Sequence, residues 1–124
     1  MTTNTPAVDA LLTADDIAAL ERAAELLVDL LEEAARAEEK FGRQYDVPDG
    51  TGGEAARLSA DDAREDCQDA FAAGLGTWWH ILLEEVYEAL AEDDPAALRR
   101  ELLQVAAVAI RWVDAIDNRE QVTS

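Results

Sequence analysis

Residues 81–112 read ILLEEVYEALAEDDPAALRRELLQVAAVAIRW, two apolar helical runs on either side of Asp93-Asp94-Pro95. Aspartate before proline marks a helix start: the carboxylate accepts from free backbone N–H groups, and proline at the first helical position has no N–H to leave unpaired. The stretch therefore reads as two antiparallel helices, the third and fourth of the chain. Residues that face each other in such a pair have numbers summing to a constant, and Glu85 with Gln104 shares its sum with Glu88 and Glu101. Within each helix the two positions are three apart and lie on one face. Four oxygen-bearing side chains thus converge at one height. Carboxylates about 4 Å apart repel by about 4 kcal/mol at an effective dielectric near 20, so the convergence calls for a cation, and hard oxygen donors suit Mg2+ or Mn2+.

The helical wheel supports two opposed readings. On the third helix Glu84, Glu85, Glu88 and Glu92 share a sector opposite Leu82, Leu83, Val86 and Leu90, the pattern of an ordinary solvated face. On the fourth, Glu101, Val105, Val108 and Trp112 recur at i, i+4, i+7 and i+11 as one apolar stripe, while Arg99, Arg100, Arg111 and Asp114 point away. Glu101 thus holds an apolar slot, where a carboxylate needs a partner or a metal. The wheel by itself leaves both readings open.

Working outward, Thr13 and Asp16 form a capping pattern that starts a long first helix. Ile17, Leu20, Ala24, Leu27, Val28, Leu31 and Ala35 recur along it, and Gly42 ends it. Residues 43–53, RQYDVPDGTGG, have loop composition. A second helix is expected from Glu54 or Ser59, with Ser59 and Asp62 as a further capping pattern, to about Ala73. Thr77 caps the third helix, and the fourth is expected to reach about Asn118. Nothing alternates with period two, so the expected fold is all-α with four to five helices. Residues 1–12 read as a tail or short helix, 13–119 as a single domain and 120–124 as a tail. From Leu102 to Val113 the fourth helix is apolar almost all round, interrupted only by Gln104 and Arg111. A helix covered on most sides predicts a bundle completed by oligomerisation, as a homodimer or homotetramer.

A net charge of −18 argues against direct contact with nucleic acid or an anionic membrane, which carry the same sign. The same charge suits a mimic of nucleic acid or a solubilising surface. Cys67 is the only cysteine, which rules out an intramolecular disulfide or a multi-cysteine zinc site. No basic region precedes an apolar run at the N-terminus and no apolar stretch has membrane-spanning length, so a soluble cytoplasmic protein is expected.

The motif EExxE, a twelve-residue spacer and ExxQ, here Glu84-Glu85-Val86-Tyr87-Glu88 and Glu101-Leu102-Leu103-Gln104, resembles the EExxE and ExxD signature of the all-α nucleoside triphosphate pyrophosphatases, the MazG-like group. The upstream stretch EEKFGRQYDVPDGTGG is similar to the KWGxQxxPDGTG segment of a phage-type branch of that group. Together these cover the chain from about Glu38 to Asp117. The resemblance implies a MazG-like helical bundle, Mg2+ held by Glu85, Glu88, Glu101 and Gln104, and hydrolysis of a (d)NTP to the monophosphate and pyrophosphate. It also implies that Glu84 or Glu85 accepts the proton of the attacking water. Gln104 stands where the broader family has Asp, which keeps a carbonyl donor and removes one negative charge. Phe41 stands where that branch has Trp.

Lys40 and Gln44 lie in the family-like segment and are candidate nucleotide contacts. Trp78 and Trp79 are about 100° apart on a helix, so only one can line a pocket, and Trp78 is taken as the candidate base-stacking surface. Trp112 belongs to the apolar stripe and is read as packing. His80, the only histidine, has no nucleophile at motif spacing and is read as structural. The competing function is a non-catalytic acidic interaction protein, or nucleic-acid mimic, on the same scaffold.

Overall fold

The computed structural model describes residues 11–123; residues 1–10 of the expected N-terminal tail lie outside them, as does Ser124. Among the described residues there are four helices and no strand: α1 (Ala14–Phe41), α2 (Glu54–Ala72), α3 (Trp78–Leu90) and α4 (Pro95–Thr123). The all-α expectation is borne out. The chain divides into two compact units, the first ending at Tyr45 and the second beginning at Asp46.

The first unit is built on α1. Thr13 accepts from the Asp16 N–H at 3.1 Å, and its own N–H donates to the Asp16 carboxylate at 3.0 Å, the expected capping box. At the other end Gly42, at φ 75°, donates its N–H to the Glu38 carbonyl at 2.7 Å. That left-handed backbone is one that glycine adopts without a Cβ clash. No side chain of α1 is buried, and Ile17, Leu20, Leu27, Val28 and Leu31 of its apolar stripe are exposed. Its acids are solvated, several beside an arginine: Glu33 pairs with Arg36, and Glu38 accepts from Arg43 Nε at 2.8 Å.

In the second unit α3 is the central helix, packed by α2 on one side and α4 on the other. Ala60 and Cys67 of α2, Ala89 of α3, and Leu98 and Val108 of α4 form the buried core. Small residues at these contacts let the helix axes approach closely. The Thr77 cap forms as expected, with His80 as its reciprocal partner: Thr77 N–H donates to His80 Nδ1 at 3.1 Å. His80 is thus a capping partner of α3, as its structural reading expects. Asp94 caps α4, accepting from the Ala97 N–H at 3.0 Å.

The segment before α2 is tied to the α3–α4 corner. Gly52 N–H donates to the Leu90 carbonyl at 2.8 Å, and Thr51 Oγ1 donates to the Glu92 carbonyl at 2.6 Å. Gly52 has φ 92°, and a Cβ there would fall 1.5 Å from an Asp93 carboxylate oxygen, so the docking requires glycine.

One helix limit resolves an expected alternative and another differs from expectation. α2 starts at Glu54 with Gly53 before it, so Ser59 and Asp62 lie within the helix and cap nothing. The Arg57 N–H already bonds to the Gly53 carbonyl, and the intervening Ala55-Ala56 favours helix. α4 runs past Asn118 to Thr123, through most of the expected C-terminal tail, because no glycine or proline interrupts 119–123.

Candidate metal centre

Glu85 and Glu88 are one turn apart on α3, and Glu101 is in the second turn of α4 after the Asp94 cap. Because α3 and α4 pack side by side, one carboxylate oxygen from each of the three lies within 4.8 Å of the others. All three residues are partly buried. Glu85 Oε2 and Glu101 Oε2 are fully enclosed and have no hydrogen-bond partner. A buried carboxylate oxygen without a donor forfeits hydration and gains nothing in return, at a cost of about 1–3 kcal/mol. Of the two readings of the α3 acidic face, the fully solvated one does not hold at Glu84, Glu85 and Glu88, which are half-buried.

The electrostatics follow from that enclosure. Burial, and then the charges of Glu88, Glu101 and Glu84, push the Glu85 carboxyl above the ordinary glutamate range. Glu88 is raised as well, first by burial and then by Glu84 and Glu101, while Arg64 of α2 opposes the shift with Nε 3.4 Å from Glu88 Oε1. On the opposite wall burial pushes the Cys67 thiol up to about 11, with Glu84 beside it adding to the effect, so Cys67 is a neutral packing group. Three hard oxygens, two lacking any donor and two held by carboxyls raised partly through mutual repulsion, fit a small divalent cation.

The other predicted site residues are dispersed. Glu84 is partly buried beside Cys67, outside the three-oxygen set but close enough for its charge to act on Glu85 and Glu88. Gln104 is exposed. Trp78 stacks on Trp112 with ring centroids 6.3 Å apart and planes 12° from parallel, and the Arg111 guanidinium lies 5.4 Å from the Trp78 ring centre. Trp79, the neighbour passed over as a pocket residue, is exposed and lines a cavity of about 580 Å3 between α2 and α3, together with Asp62, Asp66, Leu83 and Tyr87. Lys40 and Gln44 belong to the first unit, where the Lys40 ammonium sits 5.1 Å from the Phe41 ring centre and Gln44 is exposed.

Sequence reasoning missed Arg64. Its side chain reaches Glu88 only because α2 packs on α3 in one register, and no motif spacing encodes that. No protein-family model, curated protein or solved structure matches the chain.

Proposed function

We propose that the chain is a magnesium-dependent nucleotide pyrophosphohydrolase that converts a (d)NTP to the monophosphate and pyrophosphate. The observation that carries this reading is the pair of enclosed, donorless oxygens of Glu85 and Glu101 within the Glu85–Glu88–Glu101 set. The resemblance of EExxE and ExxQ to the pyrophosphatase signature supplies the reaction. Glu85, Glu88 and Glu101 would hold the ion, Mg2+ first and Mn2+ as a substitute, with the Gln104 carbonyl as an added donor. When bound, the ion neutralises phosphate charge and acidifies water.

The chain's own groups set the rest. Water attacks phosphorus, the phosphoanhydride bond to the departing pyrophosphate breaks, and Glu84 or Glu85 takes the water's proton. Within the second unit Trp78 is the proposed nucleotide contact. The exposed Leu102, Leu103 and Val113 of α4 support a homodimer or homotetramer sharing this helix, and a nucleotide substrate implies a cytoplasmic setting. No helix among the described residues is long and apolar enough to cross a membrane.

The test is magnesium-dependent pyrophosphate release from a panel of ribo- and deoxyribonucleoside triphosphates, with Glu88→Gln in parallel. Release that disappears in the variant establishes the reaction. Failure to release pyrophosphate from any nucleotide overturns it and turns attention to a protein partner.

A further inference from the structure

We propose that Arg57 and Arg64 of α2 form the phosphate-receiving wall of this site, with Arg64 shared between that wall and Glu88. The inference rests on the metal-dependent reading above.

Its basis is a groove of about 470 Å3 shared by α2 and the α3–α4 corner. Glu88, a member of the carboxylate set, lines it together with Arg57 and Arg64. The two arginines are seven residues apart, which places them on the same helix face about 10.5 Å from each other along the axis. Both are accessible, with side chains 57% and 44% exposed. Each is held by carboxylates of the same groove. Arg57 Nη1 lies 3.6 Å from Asp93 Oδ2, and Arg64 bridges Asp61, at 3.1 Å from Nη1, and Glu88, at 3.4 Å from Nε. The Arg57–Asp93 and Arg64–Asp61 pairs, exposed on both sides, are weak and exchange readily for a better anion. The guanidinium fork matches two phosphate oxygens at once.

In a chain with 28 acids and 10 bases, two arginines in one groove with Glu88 mark a place where phosphate meets reduced repulsion. Five carboxylates also line the groove, so its net charge stays negative. Bare phosphate is therefore repelled, and phosphate is accepted as a complex with a divalent cation. Arg64 has a second consequence. Because it shares Glu88, it competes with a cation for that carboxylate.

The experiment is a pair of calorimetric titrations on the full chain: Mg2+ alone, then inorganic tripolyphosphate with saturating Mg2+ or with chelator. Wild type, Arg57→Ala, Arg64→Ala and Arg64→Lys are compared. Tripolyphosphate carries no base or sugar, so the readout belongs to the phosphate wall. Each alanine variant should bind Mg2+ and lose about tenfold in tripolyphosphate affinity, and Arg64→Lys should recover part of it. Arg64→Ala should bind Mg2+ more tightly than wild type. Chelator should abolish tripolyphosphate binding throughout. Affinities within about twofold of wild type in both alanine variants would overturn the proposal, as would loss of Mg2+ binding in them. Wild type that binds Mg2+ but not tripolyphosphate also overturns it while leaving the metal centre intact. Wild type that binds no Mg2+ overturns the metal centre itself.

Discussion

Helices α1 and α3 both carry rows of glutamates, yet the two rows have opposite physics. On α1 the carboxylates are solvated, and Glu33 is held below the ordinary range by the hydrogen bond and charge of Arg36. On α3 the carboxylates of Glu85 and Glu88 are raised, because α2 and α4 cover them and neighbouring carboxylates add their charge, an effect that Arg64 only partly opposes at Glu88. A net charge of −18 therefore describes two populations: acids that keep the surface hydrated, and a few that the fold confines together. Composition averages over both. Only the second population stores unfavourable energy that a bound cation can relieve.

The largest contrast is expected in metal binding. Glu101→Gln should lower Mg2+ affinity by about 100-fold or more, read by calorimetry, and remove any magnesium-induced rise in melting temperature. Glu33→Gln, the matched change on α1, should leave both untouched. If the two variants bind Mg2+ alike, the contrast between the helices has no functional content.

Backbone geometry comes next in size. Gly52→Ala puts a Cβ against the Asp93 carboxylate at a backbone angle that L-residues avoid, and should destabilise the second unit by about 1–3 kcal/mol in thermal unfolding. An unchanged midpoint would mean that the 46–53 segment does not brace the α3–α4 corner.

The pH dependence of the metal-free protein separates the two populations. Glu85 and Glu88 have folded-state pKa values above their unfolded ones. Their favourable contribution is thus full below about pH 4.3, the unfolded glutamate value, and is lost as pH rises through the raised values. Asp16 and Glu33 act in the reverse sense, contributing above the ordinary range and losing it as pH falls through their lowered values. In chelator, Glu85→Gln should raise the melting temperature at pH 7 by a few degrees, on the order of 1 kcal/mol, and the gain should vanish near pH 4. A gain independent of pH would assign the effect to packing.

The smallest effect is the loss of surface pairs on α1. Arg36→Ala should scarcely move the melting midpoint, because solvent screens an exposed pair on one helix. A drop of several degrees would show that α1 is held far more tightly than its exposed stripe indicates.

Much of this molecule was legible from local chemistry. The Thr13–Asp16 box, the Gly42 stop, the Thr77 cap and the Asp94-Pro95 start all act within four residues of chain, and each formed where its residues predicted. The meeting of Glu85, Glu88 and Glu101 was legible for a related reason. A short turn makes two helices antiparallel neighbours, so the register follows from counting away from Asp93 and Asp94. Sequence leaves the start of α2 open between Glu54 and Ser59, because a capping pattern inside a helix looks the same as one at its end, and the structure takes Glu54. Trp78 was preferred over Trp79 although their angular separation says only that they differ.

Sequence by itself determined the helices, their caps, the acidic excess and the pairing of α3 with α4, since all of these depend on neighbours in the chain or on one tight turn. Tertiary structure decided what those cannot carry. It enclosed Glu85 Oε2 and Glu101 Oε2, set Cys67 beside Glu84, brought Arg64 to Glu88 and seated Gly52 under Leu90. Each of these depends on how α2 and the loop before it pack against α3, across stretches of chain where no local rule fixes distance. Burial is what turns a row of glutamates into a site, and burial is a property of the packed fold.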